Sequence, residues 1–272
     1  MRVLTISTIL LSLALLSGCK GYQDILKSDN TELKYEKAME YYEEKDYYKA
    51  IQLLDNLRSV TRGTKRAEEV SYYYAQAHYK NEEYILASYY FKNFVKNFPK
   101  SDKKEKALYL SAYCKYMQAP PYYLDQSTTK EAINDLQYFA NTYPQSEYIV
   151  DVNKHINELK KRIEKKEINK ANLYYKMENW KAAAYAFEVF LDKYPVSKYR
   201  EEAMFKIANA KFNYAKNSVS SKQPDRYRKV VEAADEFLAE YAESEYKKKV
   251  VTIREKALEA LNTSNITQNE VE

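Results

Sequence analysis

Glycine is scarce in this chain, which has only three glycines and six prolines in 272 residues. A loop that cradles phosphate groups needs several glycines, because only a backbone without side chains can approach the phosphates closely. A β-sandwich needs turn residues every 8 to 12 positions or so, and here they are missing. The composition therefore excludes a glycine-rich nucleotide site and argues against an all-β fold.

Histidine and cysteine are equally rare, with two of each. His78 and His155 are far apart in sequence, and neither has a second ligand at the spacing of a known metal motif. No HExxH, GxSxG or CxxC sequence occurs. Catalytic groups can still be assembled from scattered residues, so an enzyme is not excluded, but the sequence indicates a non-enzyme with no metal and no cofactor.

The N-terminus has the pattern of an export signal. Arg2 precedes an apolar run that ends at Leu16, and this run is shorter than the roughly 20 residues that a membrane-spanning helix needs. The run ends in Leu16-Ser17-Gly18-Cys19, which resembles the lipobox of bacterial lipoproteins. The sequence therefore predicts a signal peptide over 1–18, lipidation of Cys19 and a flexible tether over 19–31. Cys114, in a helical stretch, is predicted to be a buried and inert thiol.

Four short stretches recur at intervals of roughly 45 to 51 residues, which is the length of a helix pair with an enlarged loop. Each has an aromatic residue, then proline (once alanine), any residue, and serine: Phe98-Pro99-Lys100-Ser101, Tyr143-Pro144-Gln145-Ser146, Tyr194-Pro195-Val196-Ser197 and Tyr241-Ala242-Glu243-Ser244. Proline cannot continue the incoming helix, and serine can cap the next one.

The apolar spacing around these turns matches the TPR helix-turn-helix pattern, with a small residue where the two helices cross. The candidate crossing residues of the first helices are Ala38, Ala75, Ala112, Ala171 and Ala208. Those of the second helices are Ala50, Ala87, Ala132, Ala183 and Ala234. The predicted fold class is all-α, a right-handed superhelical array of about five TPR-like helix pairs.

The predicted organisation places pairs 1–3 in residues 32–145 and pairs 4 and 5 in residues 146–261. Since neither glycine nor proline occurs between Ser146 and Met177, one long helix is expected to join pair 3 to pair 4. Residues 262–272 lose the apolar periodicity and are predicted to be a disordered tail.

With these features the chain resembles the BamD family of outer-membrane β-barrel assembly lipoproteins. The resemblance covers roughly residues 30 to 260 and is strongest around the third-to-fourth pair junction. There it includes Tyr143-Pro144-Gln145-Ser146-Glu147-Tyr148, Leu159-Lys160-Lys161-Arg162, Glu167, Tyr174-Tyr175 and Trp180. The chain departs from better-known members in its high tyrosine content.

The resemblance implies a scaffold subunit of the machinery that inserts β-barrel proteins, anchored by lipid in the outer membrane and facing the periplasm. Its partners would be a BamA-type barrel subunit, docked on the C-terminal pairs, and unfolded outer-membrane proteins, received by the N-terminal pairs. Nucleic acid is not an expected partner. The candidate docking residues are Asn172, Tyr175, Lys176, Asn209 and Phe212.

The positions three before, one after and four after each crossing alanine are expected to line the concave face of a TPR array. In pairs 1–3 they supply the candidate peptide-binding residues Tyr35, Tyr42, Tyr72, Tyr79, Tyr109, Tyr113 and Tyr116. Tyrosine combines apolar area with a polar tip, which suits an extended peptide that ends in an aromatic residue. The alternative is that this chain, with 30 tyrosines, uses tyrosine to pack one pair against the next.

Two other functions fit a TPR lipoprotein. One is an adaptor of another envelope system, such as cell-wall coordination, a pilus or a secretion apparatus, which the helix pattern alone does not distinguish. The other is a carbohydrate-uptake lipoprotein, but the short length and the low glycine count argue against it.

Overall fold

A computed structural model describes the backbone of residues 21–269 and the side chains of residues 21–263. The described residues are helices joined by turns, with no strand among them. A helical segment at 21–27 is followed by eleven helices that we number α1 to α11. They are α1 (Thr31–Glu43), α2 (Tyr47–Val60), α3 (Arg66–Lys80), α4 (Tyr84–Asn97), α5 (Lys104–Gln118), α6 (Ser127–Thr142), α7 (Ile149–Lys176), α8 (Trp180–Lys193), α9 (Arg200–Lys216), α10 (Gln223–Glu240) and α11 (Lys247–Asn269).

The helices pack as the five predicted pairs. Helices α1 and α2, α3 and α4, α5 and α6, and α9 and α10 contact each other as pairs, α8 packs beside the last part of α7, and α11 packs on α10. The all-α array of TPR-like pairs is therefore confirmed. The handedness of the array stays a prediction.

The chain divides into two compact units between Lys160 and Lys161, in the middle of α7. We call them the N-terminal unit and the C-terminal unit. The predicted boundary between 145 and 146 lies before the start of α7, whereas this division falls in its middle. The physical reason is that the first half of α7 packs against pair 3: the hydroxyl of Tyr116 on α5 donates to Glu158 at 2.6 Å, and the ring of Tyr113 lies 5.3 Å from that of His155.

The crossing residues have the predicted register. All ten alanines at these positions are at most 1% exposed. A methyl group is small enough to let the two backbones of a pair approach closely, and the large side chains around it fill the space on either side. In pair 4, for example, Phe187 and Phe190 are buried next to Ala183.

The four inter-pair turns share one structure. The serine N–H donates to the carbonyl of the aromatic residue three positions earlier, and the serine hydroxyl accepts from the N–H two positions later, at 2.9 to 3.2 Å. The aromatic residue also lies 5.2 to 5.6 Å from the phenylalanine one helical turn before it. The serine therefore closes the turn that leads into the next helix, but it is not the predicted cap: the N-cap residues of α5 and α9 are Lys103 and Tyr199, and neither helix has a side-chain cap hydrogen bond.

The tight turns inside pairs 1, 2 and 4 place a residue other than glycine in the left-handed backbone region. These residues are Lys45, Glu82 and Glu178, with φ of 65°, 60° and 56°. In each turn two successive N–H groups donate back to carbonyls of the preceding helix. A residue with a side chain in this region costs of order 1 kcal/mol, so the use of these residues in place of glycine lowers the free energy of unfolding.

The segment at 21–27 differs from its prediction as part of a flexible tether. It is helical, and Tyr22 is buried against pair 1, where Ile25 and Leu26 also pack. Two apolar residues and a tyrosine within one and a half turns supply enough buried area to hold the segment. Cys19 and the predicted signal peptide lie outside the described residues.

The C-terminus also differs from its prediction, because α11 continues to Asn269 rather than ending at Leu261. Residues 262–269 contain no proline or glycine, so nothing in their sequence terminates a helix already formed by the residues before them. The predicted disordered tail over 262–272 is therefore wrong for 262–269, and 270–272 lie outside the described residues.

We predict that Glu178→Gly stabilises the protein. Glycine adopts the observed φ without a Cβ clash, so the free energy of unfolding should rise by about 0.5–1 kcal/mol after the greater freedom of the unfolded chain is subtracted. Urea denaturation measures the effect. Glu178→Ala is the control, because it removes the same charge but keeps a Cβ, and it should not stabilise. An equal gain in both variants would contradict the strain explanation.

Candidate peptide-binding face

The seven predicted tyrosines all lie on the first helices of pairs 1–3, in the N-terminal unit. Six of them are half-buried, and only Tyr72 is buried, at 6% exposure. Along α5 the rings of Tyr109, Tyr113 and Tyr116 stack at centroid distances of 5.9 and 5.7 Å. Tyr79 on α3 extends this stack, with its ring 6.3 Å from that of Tyr113. The predicted residues therefore form a connected aromatic surface on α3 and α5.

The position three residues before each crossing alanine is covered by the next pair. The guanidinium of Arg66 lies 4.3 Å above the ring of Tyr35, and the ammonium of Lys103 lies 5.8 Å from that of Tyr72. Tyr148 stacks on Tyr109 at 4.3 Å with its ring nearly parallel. Phe205 and Tyr246 repeat that stack in the C-terminal unit, at 4.5 Å. These positions pack one pair on the next.

Tyr72 is therefore wrongly predicted as a residue that lines a groove. Its ring packs edge-on against Phe91 and Phe94 in the core of pair 2, and its hydroxyl accepts a hydrogen bond from Gln76 at 2.9 Å. Tyr35 and Tyr109 are half-buried, and Arg66 and Tyr148 cover a face of each ring. The packing alternative stated for the tyrosines holds at these three positions.

The positions one and four after the crossing alanine are different. Tyr42, Tyr79, Tyr113 and Tyr116 are half-buried, and we call these four residues the tyrosine face. Their rings pack edge-on or in offset stacks with other aromatic rings, Tyr42 against Tyr73 at 5.5 Å for example. Such neighbours fix the orientation of each ring, so a bound peptide would meet a preformed surface.

Three aromatic residues beside the tyrosine face were not predicted: Tyr73, Tyr148 and His155. Tyr73 lies between Tyr42 and Tyr72, and the ring of His155 lies 4.1 Å from that of Tyr116. Tyr148 could have been found from the sequence, because it stands two residues after a turn serine, as Tyr199 and Tyr246 do. His155 could not have been found from the repeat pattern. It lies in the first half of α7, and no other pair has a first helix of twice the usual length.

Burial shifts the pKa values at this surface toward the neutral forms. It raises the pKa of Tyr42, Tyr109 and Tyr148 to about 12, further above physiological pH than that of an exposed tyrosine, which is also neutral there. Burial also lowers the pKa of His155, and this effect outweighs the opposite effects of Glu158 and Asp151. The Nδ1 atom of His155 is buried without a hydrogen-bond partner. Burial therefore disfavours the charged form of each of these side chains.

The predicted docking residues lie in the C-terminal unit. Tyr175 on α7 donates to the side-chain oxygen of Asn209 on α9 at 2.6 Å, and Lys206 donates to that of Asn172, also at 2.6 Å. Asn172, Tyr175 and Asn209 thus form one polar layer between the first helices of pairs 4 and 5. Lys176 is exposed at the end of α7.

Phe212 belongs to a different cluster. Its ring lies 6.1 Å from that of Tyr227, and it packs with residues of α10 and α11 near Ala215. The structure therefore brings together three of the five candidate docking residues and separates Phe212 from them.

The described part of the chain contains one cysteine, Cys114, and its thiol is not reactive. Cys114 is buried as predicted, and burial raises the pKa of its thiol to about 12. The described residues contain no cluster of three metal-ligating side chains. No helix among them has the length and apolar character needed to cross a bilayer.

Comparison with known proteins identifies the family. The family model described as YfiO, an outer membrane lipoprotein, matches residues 27–223, which is more than half of the chain. The chain belongs to this family. The YfiO match begins within the helical segment at 21–27 and ends at the start of α10, so it includes the whole tyrosine face and the Tyr175–Asn209 layer.

Curated relatives are named for outer-membrane assembly. The chain is 24% identical to the outer membrane protein assembly factor BamD of Haemophilus influenzae, over 77% of this chain and 84% of that protein. It is 26% identical to the BamD of Caulobacter vibrioides over 49% of this chain, but this match spans only 44% of the relative. Among solved structures, the TPR2AB domain of yeast Sti1 in complex with pHSP90 is 15% identical, covers 84% of this chain and 98% of that one, and has a TM-score of 0.40.

His155 predicts a loss of stability in mild acid. Because its folded-state pKa is lowered, the unfolded state takes up the proton first, and stability should fall as the pH drops below about 6.5, by at most about 1.4 kcal/mol per pH unit. His155→Phe keeps a ring against Tyr116 but cannot be protonated. Thermal melts of both proteins between pH 8 and pH 5 should show a smaller decrease for the variant. Parallel decreases would mean that His155 is not the group responsible.

Proposed function

We propose that this protein is a lipid-anchored scaffold subunit of the machinery that assembles β-barrel proteins into the outer membrane. Membership of the YfiO family and relatives named as assembly factors support the proposal. The observation that carries it in this chain is the tyrosine face, a preformed aromatic surface on the first helices of three consecutive pairs. The established family relationship concerns the fold and the class of lipoprotein, and the roles that follow are inferences.

The substrate proposed for the tyrosine face is the C-terminal segment of an unfolded barrel protein, which is extended and ends in an aromatic residue. The rings of Tyr79, Tyr113 and Tyr116 pack on one another and offer a half-exposed apolar surface. The hydroxyl of Tyr116 donates to Glu158. An aromatic side chain can pack edge-on against such rings, and the hydroxyls of Tyr79 and Tyr113 can bond the peptide backbone. Tyrosine achieves this with few rotatable bonds, so little conformational entropy is lost on binding.

A double substitution tests this binding. In Tyr79→Ser/Tyr113→Ser two aromatic contacts are lost, each worth about 1.5–3 kcal/mol when fully made, so the affinity for a barrel C-terminal peptide should fall at least about tenfold. Fluorescence anisotropy of a labelled peptide measures the Kd, and circular dichroism checks that the helices remain.

The matched control is Tyr89→Ser/Tyr138→Ser. It removes two exposed tyrosines of the same unit, on the second helices of pairs 2 and 3, and should leave the affinity unchanged. If both double variants retain their helicity and bind equally well, the tyrosine face is not the peptide site. If the first variant unfolds, Tyr79→Phe/Tyr113→Phe keeps the rings, and its smaller loss isolates the contribution of the hydroxyls.

The proposed partner of the C-terminal unit is a BamA-type barrel subunit, docked near the polar layer of Asn172, Tyr175 and Asn209. Tyr175 donates to Asn209 and Lys206 donates to Asn172 across α7 and α9, so these hydrogen bonds hold the surface in one shape. Lys176, exposed at the end of α7, is the charged residue best placed for an acidic partner group. Phe212 is not included in this surface, because it packs with Tyr227.

Lipid attachment at Cys19 is the second part of the proposal. Acylation would add about 0.8 kcal/mol per buried methylene, so several long chains would hold the protein on the membrane permanently. Cys19→Ala should release the protein into the soluble periplasmic fraction. Mass spectrometry of the mature N-terminus provides the direct check, and an unmodified Cys19 or cleavage at another bond would contradict the assignment.

A further inference from the structure

The N-terminal segment leaves a very short connection between Cys19 and the folded protein. The hydroxyl of Tyr22 donates to the side-chain oxygen of Gln52 at 2.9 Å, and its ring packs edge-on against that of Tyr41 at 5.6 Å. Lys49 lies over the Tyr41 ring at 4.9 Å and pairs with Asp46. Tyr22 is therefore held at the turn that joins α1 to α2.

Chain geometry then limits the position of Cys19. Three Cα-to-Cα steps of about 3.8 Å separate Cys19 from Tyr22, so the two Cα atoms are at most about 11 Å apart. The polar zone of one leaflet is about 5–8 Å thick. If Cys19 is acylated, the α1–α2 turn cannot lie far from the headgroups, and the inference below rests on that proposed lipid attachment.

The same edge of the N-terminal unit contains the turns inside all three of its pairs. The first helices α1, α3 and α5 run in the same direction and contact one another in sequence, as the pairs Tyr42–Tyr73 and Tyr79–Tyr113 show. At the far end, Gln118 donates to the carbonyl of Tyr84 at 3.1 Å, which joins the end of α5 to the turn before α4. We call this the turn edge.

Exposed apolar side chains concentrate at the turn edge. Tyr48, in the first turn of α2, is 66% exposed; Ile85, in the first turn of α4, is 72% exposed; and Tyr123, in the loop between α5 and α6, is 68% exposed. Leu86, Met117 and Leu124 are exposed beside them. The other exposed large apolar residues of this unit are Tyr89, one turn further along α4, and Val60, Tyr138 and Val150, which lie toward the opposite edge.

The enlarged loop of pair 3 contributes Tyr123 and Leu124 to the turn edge. Its sequence Pro120-Pro121-Tyr122-Tyr123-Leu124 interrupts the helix pair where pairs 1, 2 and 4 have tight turns. Gln126 fixes the loop by donating to the carbonyls of Pro121 and Leu124 at 2.8 and 2.9 Å. Two prolines and these hydrogen bonds hold the loop in a conformation in which Tyr123 and Leu124 are exposed. A loop that only connected two helices would not require exposed apolar side chains.

We propose that the turn edge of the N-terminal unit docks on the lipid bilayer, with Tyr48, Ile85, Tyr123 and Leu124 in the headgroup zone. Tyrosine is favoured at this depth because its ring is apolar and its hydroxyl stays hydrated. The turn edge carries exposed charges of both signs, Glu43, Glu44 and Glu82 beside Lys45 and Lys80. Because these charges give no net positive patch, contact comes from the lipid anchor and the apolar side chains rather than from attraction to anionic headgroups.

Tryptophan reporters test this orientation. The full-length chain has one tryptophan, Trp180, in the C-terminal unit, so each variant is compared with its parent. Tyr48→Trp, Ile85→Trp and Tyr123→Trp report from the turn edge, and Val150→Trp, also highly exposed, reports from the opposite edge as the matched control. The acylated protein is incorporated into phosphatidylcholine vesicles in which the acyl chains of the lipid are brominated close to the headgroup.

The added fluorescence at the three turn-edge positions should be quenched at least about twofold more than at Val150, because side chains docked at the interface reach about 5–10 Å into the headgroup and acyl boundary. Circular dichroism confirms the fold of each variant, and the three positions are independent of one another. Replacing half of the lipid with phosphatidylglycerol should not increase the quenching.

Two results would overturn the proposal, and they differ from each other. Equal quenching at all four positions, or none, with an acylated protein bound to the vesicles would show that the turn edge does not face the lipid, while Cys19 remains the anchor. A protein that mass spectrometry shows to be unmodified at Cys19 would remove the lipid attachment on which the orientation rests. The peptide-binding function of the tyrosine face is untouched by either result.

Discussion

The close approach of helices at the crossing alanines is the constraint on which the rest of the structure depends. Ala38, Ala75 and Ala112 are all buried at the same position of their pairs, so each pair packs its two helices in the same way and presents equivalent positions to the next pair. Stacking then becomes regular. Contacts between successive first helices join residues about one repeat apart, such as Glu32 with Arg66 and Glu68 with Ser101.

That regularity produces the aromatic surface of the N-terminal unit. The side chain three residues before the crossing alanine contacts the residues that lead into the next helix. Tyr109 stacks face to face on Tyr148, and Phe205 stacks in the same way on Tyr246. The positions one and four after the alanine are covered only in part: Tyr113 and Tyr116 contact His155 of α7, yet their rings remain half-exposed. The tyrosine face thus results from the same geometry that makes the core, applied to positions that the next helix covers incompletely.

Much of this could be predicted from the sequence, because it depends on local signals that repeat. The serine turns and the crossing alanines indicate the number of pairs and their register, and the structure confirms the pairs and the burial of the alanines. The unit boundary could not be found in this way, since it falls inside α7, where the sequence is uniformly helical and only contacts such as Tyr116 with Glu158 show which pair each half joins. The burial of Tyr72 and the docking of Tyr22 likewise depend on long-range packing, to which a pattern of spacing is blind.

The proposed roles fit together within the N-terminal unit. Tyr79 and Tyr116 lie in the last turns of α3 and α5, so the tyrosine face begins next to the turn edge. If that edge rests on the bilayer, a barrel protein held by its C-terminal segment would be presented close to the membrane into which it is inserted. The lipid anchor, the exposed loop of pair 3 and the peptide-binding residues would then serve one task.

Native co-purification tests most directly whether the protein is a subunit of a barrel-assembly complex. The chain, tagged at its C-terminus, would be isolated from detergent-solubilised outer membrane and its partners identified by mass spectrometry. We expect a BamA-type barrel subunit to be recovered in stoichiometric amount, together with small amounts of unfolded outer-membrane proteins. Recovery of components of a pilus, a secretion apparatus or cell-wall synthesis, without a barrel assembly subunit, would contradict it.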